Sequence, residues 1–198
     1  MNRGNHYETA FEAFLRELRL PYVAVDESKK ALFSGSKLKS FDFVVYSRSG
    51  PNLLVDIKGR KAIGDGGGAG ASLQTWTNRQ DVDDLSQWER IFGEGFKALF
   101  GFVFEVEPLL APPPGHFVHR QGEVGRPAGA WERHYLMLCV DLCDYRNHMS
   151  RRSVRWDTVA MPMAEFRQLA RPMRDWLEPG GAAANTDLVP AAESVARV

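Results

Sequence analysis

Residues 52–61 read NLLVDIKGRK. Three apolar residues, Leu53, Leu54 and Val55, run into Asp56 and Lys58, and the chain then turns basic. Side chains on a strand alternate between faces, so Leu54, Asp56 and Lys58 share one face while Val55 and Ile57 share the other. Any fold that uses this run as a core strand must therefore accommodate a carboxylate and an amine side by side. The preceding run SFDFVVY, residues 40–46, is a second strand candidate, separated from the first by the turn-like RSGP. A hairpin of the two would bring Asp42 near Asp56. Two adjacent carboxylates on a sheet rich in Val and Leu repel, and burying them unpaired is costly.

The rest of the chain supplies the frame. NHYETAFEAFLRELRL, residues 5–20, has Tyr7, Phe11, Phe14, Leu15 and Leu18 at helical spacing, with Asn5 as N-cap and Pro21 beyond its end. PYVAVDE is a short strand candidate, and ESKKALFSGSKLKS a polar, basic connection. AIGDGGGAGAS, residues 62–72, is a Gly-rich loop without the Gly-Lys-Ser/Thr ending of a phosphate-binding loop. DVDDLSQWERIFG predicts a second helix closed by Gly93, and KALFGFVFEV and RHYLMLCVDL two apolar strands. WDTVAMPMAEFRQLA predicts a strand and a helix starting near Pro162. The order is α-β-β-β-α-β with a C-terminal β-α extension, an α/β fold whose mixed central sheet is flanked by helices. One domain is expected over residues 1–178, followed by a disordered Ala/Gly/Pro-rich tail at 179–198.

A divalent cation would relieve the paired carboxylates. Magnesium takes one or two carboxylates, with waters and substrate phosphate completing its shell. Lys58 would then hold an attacking water or neutralise charge building on phosphorus. The structural alternative is a plain salt bridge among Asp42, Asp56 and Lys58.

The Asp42 strand, the Asp56-Ile57-Lys58 strand and the preceding glutamate-bearing helix resemble the PD-(D/E)xK nuclease superfamily, which includes restriction enzymes, Holliday junction resolvases and Mrr-like endonucleases. The resemblance covers roughly residues 5–106, with Phe rather than Pro before Asp42 and Asp rather than the commoner Glu before Lys58. It implies a restriction-endonuclease-like core, a Mg²⁺ ion (replaceable by Mn²⁺) held by Asp42, Asp56 and Glu12 or Glu8, and cleavage of phosphodiester bonds, with DNA as the default nucleic acid. HYETAFE, residues 6–12, is also similar to a bacterial group named for its HYExAFE motif. That similarity extends to about residue 178 and implies no reaction. The alternative on the same fold is a catalytically inactive protein that binds nucleic acid or another partner.

Between the two glutamates, Glu8 stands three residues after Asn5, a capping-box spacing that gives it a structural job. Glu12 has no such local explanation and is the favoured metal-side acid. Arg60 and Lys61 are candidate phosphate contacts. Gln74, where related nucleases often carry an auxiliary polar residue, and Arg79 complete the predicted nucleic-acid surface. Trp76 is a candidate for stacking on an unpaired base. Asp81, Asp83 and Asp84 are read as capping and biasing the second helix.

The formal net charge is zero, so no global field announces a partner. Residues 146–174 nevertheless carry 7 arginines against 2 acids, a local basic block. Cys139 and Cys143 form neither a disulfide framework nor a four-ligand zinc site and are read as core residues of a cytoplasmic protein. No apolar run is long enough to span a membrane. A homodimer is compatible with the sequence.

Overall fold

A computed structural model describes residues 5–26, 31–33, 36–62, 73–121 and 131–177. The Gly-rich segment from residue 63 to 72 and the tail at 179–198, together with its boundary at 178, lie outside the described residues. The first helix, α1 (His6–Glu17), is N-capped by Asn5, whose side chain accepts from the Tyr7 amide at 3.1 Å. Its stripe of Ala10, Phe11, Phe14 and Leu15 is buried. Four strands follow: β1 (Tyr22–Ala24), β2 (Ala31–Phe33), β3 (Ser36–Leu38) and β4 (Phe43–Val45). β2 and β3 pair with each other in a two-stranded sheet, where the sequence suggested only a polar connection.

β5 (Asn52–Lys61) carries the Asp-x-Lys pair. After β6 (Trp76–Asn78) comes α2 (Arg79–Phe92), ended by Gly93 at φ +74°, a backbone geometry that favours glycine. β7 (Phe96–Val106), β8 (His116–Gln121) and β9 (Trp131–Asp141) continue the main sheet. The chain then makes α3 (Leu142–His148), β10 (Ser150–Ser153), β11 (Thr158–Ala160), α4 (Met163–Leu169), β12 (Arg171–Pro172) and α5 (Met173–Leu177).

The main sheet has seven strands, in the order β1-β4-β5-β7-β9-β12 with β8 also on β9. β4 is antiparallel to both β1 and β5, while β5 and β7 run parallel along ten residue pairs, Asn52↔Phe96 to Lys61↔Glu105. A parallel pair needs a crossover, and α2 lies within it. The sheet is therefore mixed and flanked by helices, the α/β class read from the sequence. β6, β10 and β11 form a separate three-stranded sheet, of which the sequence pattern announced only β11.

Each face of the main sheet has its own core. On one, α1 packs Phe11, Phe14 and Leu15 against Phe43, Val55, Ile57 and Leu99. On the other, α2 packs Val82 and Leu85 with Val44, Leu54, Phe100, Phe102 and Phe104. Burying each of these aromatic side chains contributes about 2 kcal/mol or more. Strand alternation places Asp56 and Lys58 with Leu54, on the face that α2 covers. Cys139 is buried in the α1-side core, as expected of a core cysteine. Cys143 is not: it is exposed on α3, because the apolar strand ends at Asp141 and the helix that follows turns this side chain outward. Among the described residues no helix is long and apolar enough to cross a membrane.

Candidate active site

The β4–β5 register sets the geometry. Phe43 pairs with Val55 and Val44 with Leu54, and the Asp42 amide donates to the Val55 carbonyl at 3.1 Å. Asp42 thus stands at the end of β4 across from Asp56, where β5 runs on past β4. The backbone N–H of Ile57, beyond the reach of the β4 ladder, donates to the Asp42 carboxylate. Asp42 is only 4% exposed and Lys58 only 7%.

The Lys58 ammonium lies 2.8 Å from Asp56 Oδ2 and 2.6 Å from Asp81 Oδ2. It also stands 5.6 Å from the centre of the Phe100 ring, a cation–π contact from the apolar side. Asp81 Oδ1 accepts from Lys39 Nζ at 2.9 Å, and Thr77 Oγ1 donates to Asp81 Oδ2 at 3.0 Å. Asp84 accepts from the Lys39 amide at 3.2 Å and from Gln80 Nε2 at 2.8 Å. Between these groups is a recess of only 10 Å³, lined by Lys39, Asp56, Asp81 and Asp84 with Phe41 and Trp88. That is room for about one water.

The electrostatics follow from burial and pairing. Burial alone would lower the lysine, but Asp56 and Asp81 outweigh it and raise Lys58 above the ordinary amine range. Burial alone would raise Asp81, but Lys58 and Lys39 outweigh it and hold that carboxyl at about 2. Asp56 is raised, first by burial and then by the charge of Asp81, against the pull of Lys58. Among the described residues, Asp56, Asp81 and Asp84 gather here with Lys39 and Lys58, and Asp42 stands across the strand pair from Asp56.

The remaining predicted residues are placed elsewhere. Glu12 accepts from Arg16 Nη2 and from Tyr22 Oη, both at 2.8 Å. Glu8 accepts from Asn5 Nδ2 at 2.6 Å, a capping role. Both ride on α1, which covers the opposite face of the sheet, so the third carboxylate beside Lys58 is Asp81 of α2. The sequence carries a signal for it: Asp81, Asp84, Leu85 and Trp88 recur at i, i+3, i+4 and i+7, one helical stripe that mixes acids with buried residues. A carboxylate on a packing stripe points into the core, which a helix-capping role does not require.

Arg60 is also turned inward. Its guanidinium lies 4.0 Å from the Trp76 ring centre and donates at 2.7 Å to the carbonyls of Gly59 and Trp76. Burial lowers its pKa. Gln74 Oε1 accepts from Trp76 Nε1 at 3.1 Å, so Gln74 and Arg60 position that indole. Lys61 and Arg79 are exposed, Arg79 lying 3.9 Å from Asp83.

Among the described residues no group of three or more His, Cys, Asp or Glu side chains is arranged to hold a metal ion. A cation at this site would therefore rest on Asp42 and Asp56 with water. Two carboxylate oxygens completed by water are a donor set that magnesium accepts. Glu8 and Glu12 do not complete the set. No protein-family model matches the chain, and no curated protein or solved structure matches it either.

Proposed function

We propose that this chain hydrolyses phosphodiester bonds, with DNA as substrate and a divalent cation resting on Asp42 and Asp56, as the resemblance to PD-(D/E)xK nucleases implies. One observation carries the reading: the β4–β5 register sets Asp42 across from Asp56 at the end of β4, with Lys58 in contact with Asp56 on β5. Magnesium, when bound, supplies positive charge to the phosphate. In hydrolysis a water oxygen bonds to phosphorus, the P–O bond to one sugar oxygen breaks, and that oxygen takes up a proton. Lys58, its pKa raised, stays protonated at neutral pH and so is no general base. Its ammonium serves instead as a donor that orients the water or balances charge on the transition state. The recess beside Asp56 and Asp81 has room for about one water, so a phosphate enters it only if the side chains that line it move apart.

That closure favours a second reading, binding of nucleic acid without cleavage. The two are separated by incubating the protein with linear, nicked, flapped and four-way DNA in Mg²⁺ or Mn²⁺. Cleavage that needs the cation and disappears in Asp42→Asn supports hydrolysis. Binding to these DNAs with no cleavage in either metal rejects it in favour of the second reading.

A further inference from the structure

We infer that the β10–β11 turn is a second nucleic-acid site, one that takes an unpaired nucleobase on Trp156 and the adjoining phosphates on Arg151, Arg152 and Arg155. The class of ligand rests on the proposed nuclease function, while the site stands on its own residues. Trp156 is 68% exposed and Val154 77%, so two apolar side chains stand together in solvent at the tip of the turn. Three exposed arginines accompany them, and Arg155 lies 5.1 Å from the Trp156 ring centre.

The turn is built to hold this arrangement. The Trp156 backbone N–H donates to Ser153 Oγ at 3.3 Å, and the Asp157 N–H donates to the Val154 carbonyl at 3.4 Å. Asp157 adopts φ +42°, a left-handed conformation that costs a non-glycine residue of order 1 kcal/mol. Its carbonyl accepts from the Arg79 amide at 2.9 Å, which ties the turn to the first residue of α2. Two residues further on, Asp81 pairs with Lys58. The exposed indole is thereby anchored through one helical turn to the candidate active site. Behind the turn, Arg152 stands 4.9 Å from the centre of the Trp76 ring, and Arg60 holds the same ring at 4.0 Å.

The chemistry selects the ligand. A flat exposed indole gains from stacking on another π-face, and bases in a duplex are already stacked, so the usable partner is an unpaired base. Residues 146–157 contain four arginines and one acid, a charge that complements a phosphate backbone and not a basic or neutral peptide. Arg over Trp is itself a stacking platform that a base can extend.

The test is fluorescence anisotropy of the full chain with a labelled oligothymidylate and with a duplex of mixed sequence, in EDTA so that cleavage plays no part. The single strand is expected to bind more tightly than the duplex and to quench tryptophan emission. Trp156→Ala is expected to weaken single-strand binding by roughly 5- to 150-fold, the effect of losing one base–aromatic stack, and Trp156→Phe to retain most of the affinity. Exchanging Arg152 and Arg155 for Gln should reduce the slope of log K against log salt by about 0.7 for each phosphate no longer neutralised. Unchanged single-strand affinity in Trp156→Ala, with circular dichroism intact, overturns the site even if duplex DNA is bound and cleaved. Binding of neither nucleic acid, which would leave the indole to a protein partner, also overturns it. Tight single-strand binding, with no cleavage of linear, nicked, flapped or four-way DNA in Mg²⁺ or Mn²⁺, leaves this site standing and removes the hydrolytic reading.

Discussion

Lys58 of the central strand and Asp81 of the crossover helix lie 2.6 Å apart, ammonium to carboxylate, with both side chains almost wholly withdrawn from water. The pair joins α2 to β5 across the face that holds Asp56. It decides how the candidate site responds to mutation, pH and metal.

Removing Lys58 should therefore harm folding as well as chemistry. Lys58→Ala leaves Asp56 and Asp81 buried without their shared cation, and a loss of about 3–5 kcal/mol is expected in urea unfolding at pH 7. Lowering the pH toward 5 should recover part of that loss, because Asp56, no longer in contact with Lys58, can then protonate, while Asp81 keeps Lys39. Full stability at pH 7 would show that the cluster is far wetter than its exposure implies. A cleavage assay is better served by Lys58→Met combined with Asp81→Asn, which removes one charge of each sign.

Acid should loosen the protein through Asp81. Its folded pKa of about 2 lies below the ordinary 3.8, so the pairing stabilises fully above about pH 4 and is lost as pH falls toward 2. The contribution is about 2 kcal/mol. Urea midpoints measured across that window should fall more steeply for the wild type than for Asp81→Asn. Equal slopes would place the acid sensitivity elsewhere.

Magnesium should stabilise the native state if Asp42 and Asp56 seat it. A concentration ten times the dissociation constant adds roughly 1.4 kcal/mol, readable as a rise in Tm. Asp42→Asn should abolish that rise. If Asp42 and Asp56 repel each other, the same variant without metal should be as stable as the wild type or more so, since the amide oxygen still accepts from Ile57. A marked loss of metal-free stability would instead assign Asp42 to a structural network.

Gly59 touches the first helix so closely that a methyl group there would run into the Tyr7 ring. Gly59→Ala should cost about 1–3 kcal/mol through overpacking. Pairing it with Tyr7→Ala should cost less than the sum of the single changes. Strict additivity would show that the ring moves aside freely.

Glu12→Gln separates the resemblance from the structure. Glu12 is bound to Arg16 and Tyr22 on the far face, so the exchange should change stability by less than about 1 kcal/mol and leave any magnesium effect intact. Loss of cation-dependent cleavage in this variant would restore it as the first-helix acid.

The order of α1, β4, β5, α2, β7 and β9 was legible in the chain because local patterns encode it, whereas the short β2, β3, β6, β10 and β12 and the helices α3 and α5 were not read. The apolar stripe of α1, the apolar runs of β5, β7 and β9, and the Gly93 stop are read within windows of a dozen residues or fewer. The Asp56–Lys58 pair was legible for the same reason: strand alternation puts residues two apart on one face whatever lies around them. The inward turn of Arg60 and Gln74 was not legible because composition records charge and polarity but not direction. Both turn toward Trp76, a contact that joins β5 to a small sheet whose strands come from residues 76–78 and 150–160. Which helix covers which face of the sheet is likewise a long-range matter. α1 and α2 are both amphipathic, and nothing local says which of them will meet the even-numbered side of β5. Residue order alone was enough to put an aspartate and a lysine together on a core strand, since two-residue alternation is a property of any strand. That Asp81, and neither Glu8 nor Glu12, stands against them was settled by packing across the whole chain, because it depends on the parallel β5–β7 pairing and the crossover that lays α2 on that face.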